Sequence, residues 1–346
     1  MRKTAAKLLA IAAIATSVAT VAAGTAVADP ASLPAAQDIV GVGSDTTQAV
    51  LNQFSTDYNA FLGASSTLPR LYSWDATGTS PITTKSGATS IARPNGSGAG
   101  VKALENNTNA TVSFARSSRG PATGDQVTDL FVAYAKDAVS WAAKSGGHAP
   151  ANLSTAQLKG IYECTITNWQ TIDPTLANAT IKPFLPQADS GTRSFFLKTI
   201  GGGTTSVVPG ACVTQGTQEN QGTDAVLNDA DAVVPYSVAH YIGQVYFGHA
   251  VGSDAQGPLT VRNVDGVTAI NTTAKTIDST FAGTSYARVV YNVVRKADWT
   301  NTGTLGTALR GIFGTTGWVC TNATAQADIV SYGFLPVGSC GTTTHI

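Results

Sequence analysis

Apolar positions recur along this chain with two periods, and the switches between them fall at turns rich in glycine and hydroxyl side chains. Asp38-Ile39-Val40-Gly41-Val42-Gly43 is a short apolar run that predicts a buried strand. Ser44-Asp45-Thr46-Thr47 follows, a cluster of residues that favour helix N-caps. Behind it, Val50, Leu51, Phe54, Tyr58 and Phe61 keep i, i+3/i+4 spacing, which predicts a helix with one buried face. The design recurs. Asn95-Gly96-Ser97-Gly98-Ala99-Gly100 precedes helical Val101 to Leu104, and Thr111 to Ala115 predicts a strand that runs into Arg116-Ser117-Ser118-Arg119-Gly120. Ile181 to Leu185 predicts a strand, Asp189 to Arg193 a turn, and Ser194 to Leu197 a helix. Strands alternating with helices predict an α/β fold.

Two longer apolar runs organise the rest. Leu130 to Trp141 carries Lys136-Asp137 in its middle, and Tyr286 to Val294 is rich in β-branched residues. If both cross between lobes, residues 38–138 and 285–346 form one lobe and 139–284 the other. The polar Thr/Asn/Gly stretches at 75–90, 200–222 and 268–284 read as surface loops.

Composition changes this picture in three ways. Charged residues make up 12% of 346, about half the usual share, and Lys+Arg balance Asp+Glu at 21 each. Without a basic excess there is no electrostatic footprint for nucleic acid. Met1 to Ala28 reads as a secretory signal: Arg2, Lys3 and Lys7, an apolar Leu8 to Ala23, then Ala26-Val27-Ala28 as a cleavage site. The rival reading, a membrane anchor, is disfavoured by the weakly hydrophobic Ala/Thr composition of that run. Cleavage would leave 18 cations against 21 acidic residues, a net charge of −3. Finally, Cys164, Cys212, Cys320 and Cys340 are an even set in an exported chain, which predicts two disulfides. Of three possible pairings, Cys164–Cys212 and Cys320–Cys340 are expected, because each brackets one local segment. The spacing lacks the C-x-x-C of a zinc site, and no metal or cofactor is expected.

The chemistry lies in the loops aimed at helix starts. A helix N-terminus presents unpaired N–H groups and about half a positive charge. Several of them converging on one cleft make an anion site from few full charges. Ser44, Thr46, Ser97, Ser118, Ser190 and Thr192 could add hydroxyl donors, and Arg193 a charge in a first helical turn where it otherwise opposes the dipole. Each hydroxyl could equally be a simple cap, and Asp45 could cap its helix. Enzyme signatures are missing: there is no G-x-S-x-G elbow and no H-E-x-x-H. His240 reads as a core or interface histidine, Trp169 as a packing residue, and Glu163 and Glu219 as carboxylates whose pairing spacing does not reveal.

Three segments in order resemble the phosphate-binding proteins of ABC importers, which have the two-lobed type 2 periplasmic-binding-protein fold with a ligand cleft between the lobes. They are Leu153 to Trp169, Pro186 to Leu197 with its Ser190-Gly191-Thr192-Arg193 core, and Ala232 to Ser237. The resemblance spans Asp38 to about Val337. It implies ligand contacts at Asp45, Thr46, Ser97, Ser118, Ser190, Gly191 and Thr192, to which the Arg193 argument adds an eighth. Two departures stand out. Ser118 occupies the place of the family's acidic acceptor, and the arginine common before the S-G-T loop is missing. Arg193, Arg116 or Arg119 could replace that arginine, and Asp45 the acceptor. With serine at 118, weak discrimination of phosphate from sulfate is expected unless Asp45 takes over.

The resemblance therefore implies a non-enzymatic, monomeric solute-binding protein for inorganic phosphate or a similar oxyanion, with an ABC permease as a possible partner. Without a lipobox cysteine, the chain is expected to be secreted, wall-associated, or periplasmic if the cell has an outer membrane. The alternatives are a phosphatase-like enzyme on the same scaffold and a wall-associated interaction protein with a degenerate site.

Overall fold

Short buried strands alternating with amphipathic helices build both ends of one long sheet. The computed structural model describes residues 29–106 and 111–345, so the signal reading at 1–28 lies outside the described residues. The chain opens with β1 (Ile39–Gly43), α1 (Gln48–Leu62), β2 (Leu71–Ser73), α2 (Ser97–Glu105) and β3 (Phe114–Ser117). The long β4 (Asp129–Lys144) leaves this first lobe. The middle of the chain supplies β5 (Asn152–Leu153), α3 (Thr155–Tyr162), α4 (Trp169–Ile172), β6 (Lys182–Pro186) and α5 (Gly191–Ile200). It continues with β7 (Thr214–Thr217), β8 (Ala232–Ser237), α6 (Val238–Tyr246) and β9 (Leu259–Val261). Three small strands follow, β10 (Asn263–Val264), β11 (Ile270–Asn271) and β12 (Thr276–Ile277), before β13 (Ala287–Arg295) returns. The C-terminal part holds α7 (Lys296–Thr300), α8 (Thr304–Phe313), α9 (Trp318–Thr321), α10 (Ala323–Ser331), β14 (Leu335–Pro336) and β15 (Thr343–Thr344).

The main sheet runs β2-β1-β3-β13-β4-β8-β6-β7, with β9, β14 and β15 also paired to β4. β1 is parallel to β2 and β3, while β13 is antiparallel to β3 and β4. β4 changes partners along its length. From Asp129 to Ala138 it pairs with β13, and from Val139 onward with β8 and β9. The two long apolar runs are thus paired strands, and β4 extends beyond β13 into the part of the sheet formed with β8 and β9. Arg288 lies directly opposite Asp137 in that pairing.

Each lobe packs its helices on the sheet through the apolar stripe read from the sequence. Val50, Leu51, Phe54 and Tyr58 are buried, with Phe54 edge-on to Tyr134 and Trp318. Phe61 departs from the expectation: it sits in the last turn of α1, stacked on Tyr58, and is 64% exposed. In the second lobe Tyr162 packs edge-on against Phe196, and the fully buried Trp169 donates its indole N–H to Asp231 at 2.8 Å. The strand expected at Thr111 to Ala115 begins later, at Phe114, because that is where pairing with Gly41 starts. Both disulfides form as expected, Cys164–Cys212 and Cys320–Cys340. Among the described residues no helix is long and apolar enough to cross a membrane.

Candidate functional site

Where the lobes meet, four loops touch. The turn before α2 brings Ser97 to Ser118 of the loop after β3: Ser118 donates its N–H to Ser97 Oγ at 3.0 Å, and the two hydroxyls lie 3.2 Å apart. Both belong to the first lobe. Gly191, the first residue of α5 in the second lobe, lies against them. A Cβ there would collide with both hydroxyls. Ser190 caps α5 by accepting from the Arg193 N–H at 3.0 Å. Further bonds cross the same seam, from Gly98 N–H to the Asp189 carbonyl at 2.9 Å and from Lys102 to the Asp189 carboxylate at 2.9 Å.

The loop after β1 reaches the same point. Its Ser44-Asp45-Thr46-Thr47 cluster does not cap α1, whose N-cap, Thr47, makes no side-chain capping bond. The side chains turn inward instead. Thr46 Oγ1 donates to Glu219 Oε1 at 2.5 Å, lies 3.1 Å from Thr192 Oγ1, and accepts from Asn220 Nδ2 at 3.1 Å. Asp45 accepts from Gln218 Nε2. Glu219 is fully buried and also accepts the Thr192 N–H at 3.2 Å. Residues 218–220 were expected on the surface with the rest of 200–222. They lie inside the interlobe seam because β7 and the turn after it deliver them there.

A buried charge reaches this seam from β13, outside the four loops. Arg288, on β13, donates Nε and Nη2 to Asp137 Oδ2 at 3.0 and 2.8 Å. Its Nη2 also donates to Thr192 Oγ1 at 2.8 Å. Asp137 is completed by the Ser237 hydroxyl at 2.9 Å and the Ala239 N–H at 3.0 Å, in the first turn of α6. The pair is buried, and the added bonds from Ser237 and Ala239 to Asp137 help offset the cost of taking both charges out of water. Arg288 Nη1, Ser44 Oγ and Glu219 Oε2 are buried with no hydrogen-bond partner among the described residues. Of these, Arg288 Nη1 is a donor that an anion would satisfy, the Ser44 hydroxyl can donate or accept, and Glu219 Oε2 is an acceptor. The sequence signal for the Asp137–Arg288 pair was a charge in the middle of one apolar run, Asp137, and another near the start of the second, Arg288.

The other arginines are occupied elsewhere. Arg193 sends Nη1 to the Pro186 carbonyl at 2.9 Å and Nη2 to Gln215 at 2.6 Å, so its guanidinium braces β6 and β7 and does not join the cluster around Thr192. This corrects the expectation that it supplies the site's charge. The first turn of α5 tolerates it because the long side chain folds back onto neighbouring strands. Arg116 is buried against the Ser44, Trp74 and Gly43 carbonyls and the Ser73 hydroxyl, and so fixes the first loop. Arg119 pairs with Asp125 at 2.6 Å.

Titratable groups crowd one flank. Burial first, then Asp254 and Glu219, push the Asp45 carboxyl up to about 8, against the opposing pull of His240 and Gln218. Burial alone would lower His240, but Asp254 at 2.6 Å and Asp45 outweigh it and hold the imidazole at about 10. Burial and the acidic neighbours thus favour the protonated form of Asp45, and Asp254 and Asp45 favour the imidazolium of His240. His240 also contacts the Thr46 carbonyl through Nδ1 at 3.1 Å, so it is a structural partner of the first loop.

The sequence matches the family model of a PBP superfamily domain over residues 28–299. In fold the chain is similar to a candidate phosphate ABC transporter substrate-binding protein with bound phosphate from Clostridium perfringens. The TM-score is 0.60 at 15% identity, over 87% of this chain and 99% of that one. It is similar also to an ABC-type phosphate transport receptor from Vibrio cholerae, at TM-score 0.56 and 17% identity, over 87% of this chain and 100% of that one. A high affinity periplasmic phosphate-binding protein bound with phosphate aligns at TM-score 0.52 and 16% identity, over 87% of this chain and 91% of that one. Identities this low speak for a shared fold. No curated protein matches the chain in sequence.

Proposed function

We propose, from the premise that the chain belongs to the PBP superfamily, that it is an extracellular solute-binding protein whose two lobes close on a small oxyanion, phosphate first. The observation that carries this reading is the meeting of Thr46, Ser97, Ser118, Gly191 and Thr192 from both lobes beside the unmet Nη1 of Arg288. Hydroxyls, first-turn N–H groups and one buried guanidinium are the donor set that a compact oxyanion needs. Solved structures of the same fold are described as phosphate-binding, which supports phosphate as the first ligand to test.

Closure follows from the architecture. We place the lobes at 38–138 with 285–346 and at 139–284, and the hinge where β4 exchanges β13 for β8. Ligand donors sit on both sides of that hinge, so an oxyanion binds the closed form better than the open one and shifts the population toward it. The Asp137–Arg288 pair bridges the two crossing strands and keeps the guanidinium fixed while the lobes move. The role is binding and delivery, with an ABC permease as the receiving partner. The leader-like residues 1–28 and the two disulfides support export. The chain acts as a monomer in this reading.

Calorimetric titration of the purified mature chain with phosphate and with sulfate tests the proposal. Saturable one-to-one binding of at least one oxyanion is expected. Absence of binding to either at millimolar concentration overturns it.

A further inference from the structure

The hydrogen bonds of the interlobe seam run in one direction. Arg288 Nη2 donates to Thr192 Oγ1 at 2.8 Å, and Thr46 Oγ1 donates to Glu219 Oε1 at 2.5 Å. The two threonine hydroxyls lie 3.1 Å apart. A hydroxyl has one proton to give, and that of Thr46 is committed to Glu219. Thr192 is therefore the donor in the bond between them. The series Arg288, Thr192, Thr46, Glu219 ends on a carboxylate. Glu219 Oε1 also takes the N–H of Thr192, a first-turn donor of α5. Glu219 comes from the second lobe and Thr46 from the first, so this carboxylate oxygen ties the lobes together.

We propose that Glu219 is an internal anion: its carboxylate occupies the donors that the bound oxyanion uses, holds the ligand-free cleft closed, and must be displaced for the ligand to bind. The inference rests on the oxyanion reading given above. A carboxylate is itself a small planar oxyanion, and here it is fully buried, with Oε2 left without a partner among the described residues. Arg288 Nη1, on the guanidinium that bonds Thr192, is also left unmet. The internal anion thus satisfies only part of the donor set. An incoming tetrahedral oxyanion brings more acceptor oxygens, takes the Thr46 hydroxyl and the Thr192 N–H, and reaches the remaining donors. Two anions cannot share those donors in a buried site without severe repulsion, so Glu219 sets affinity by competition. Asp45 does not stand in for it, because its own bond goes to Gln218.

The test compares wild type with Glu219→Gln and Glu219→Ala, each checked for a cooperative melt. Glutamine keeps an acceptor for Thr46 and Thr192 but removes the charge. Titration with phosphate and with sulfate is expected to show both ions tightening about tenfold or more in Glu219→Gln, in similar proportion. Unchanged affinity overturns the proposal. So does weaker phosphate binding, which would make Glu219 a partner of the ligand. Small-angle scattering of the ligand-free proteins gives a second reading: wild type compact, Glu219→Ala expanded until phosphate is added. Identical ligand-free profiles for the two also overturn it. If no protein binds either ion, the oxyanion reading fails while the scattering comparison still decides whether Glu219 latches the lobes.

Discussion

Substituting Gly191→Ala separates closure from folding. Gly191 is the first residue of α5, and its φ is outside the left-handed region, so alanine fits its backbone. Within its own lobe the change is neutral or gains up to about 1 kcal/mol of helix propensity. The added methyl points across the seam into the hydroxyls of Ser97 and Ser118, which belong to the other lobe. In the open form those groups are separated and the methyl meets nothing from them. In the closed form they must shift, and overpacking of this kind costs about 1–3 kcal/mol. That cost falls in full on the ligand-bound closed form, and on the ligand-free protein only up to the free energy by which the Glu219 contact favours closure, so ligand affinity should drop by up to about 5- to 150-fold, at 1.4 kcal/mol per factor of ten. Calorimetric titration with phosphate measures the drop, and a thermal melt of the ligand-free protein should show its midpoint moved by no more than a few degrees. An affinity equal to wild type would refute the reasoning, because it would mean that the ligand-bound seam is not this one. A large fall in melting temperature with unchanged affinity would place Gly191 in the fold and remove it from closure.

Arg288→Gln should abolish oxyanion binding and lower stability by roughly 3–5 kcal/mol, since it strands the buried Asp137 carboxylate; Arg193→Gln should cost far less affinity, and parallel titrations and denaturant melts compare the two. Stability should fall as pH rises from about 4 to about 10. Asp45, raised from 3.8 to about 8, holds a proton in the folded state that the unfolded chain has released, and His240, raised from 6.5 to about 10, continues the trend at higher pH. Between about pH 4 and 6.5, where His240 does not yet titrate, melting temperature should fall less steeply with pH in Asp45→Asn; a slope equal to wild type there would count against the raised carboxyl. Replacing Cys164 and Cys212 together with alanine should cost about 4 kcal/mol, and Cys320 with Cys340 about 3 kcal/mol, because the first pair spans 48 residues and the second 20; urea unfolding of each double variant checks the order.

Local patterns along the chain determine a large part of this protein. Alternating strand and helix periods, the two long apolar runs and the even cysteine set are properties of neighbouring residues, and the α/β architecture, β4, β13 and both disulfides follow from them. Thr46, Ser97, Gly191 and Thr192 lie at turns that lead into α1, α2 and α5, a local pattern visible in the sequence, whereas Ser118 lies in the loop between β3 and β4, where no helix follows. What only the tertiary structure decided is where charge goes. Arg193 lies inside the S-G-T-R motif, yet its long side chain reaches Pro186 and Gln215. Arg288 and Asp137 are 151 residues apart and meet because β13 and β4 pair antiparallel in one register. Glu219 lies in a polar stretch that reads as surface, and a turn after β7 buries it against Thr46. A side chain's burial and partner depend on which elements pack beside it. Interactions over such separations leave no period in the sequence, whereas the turns and stripes that bring them together do.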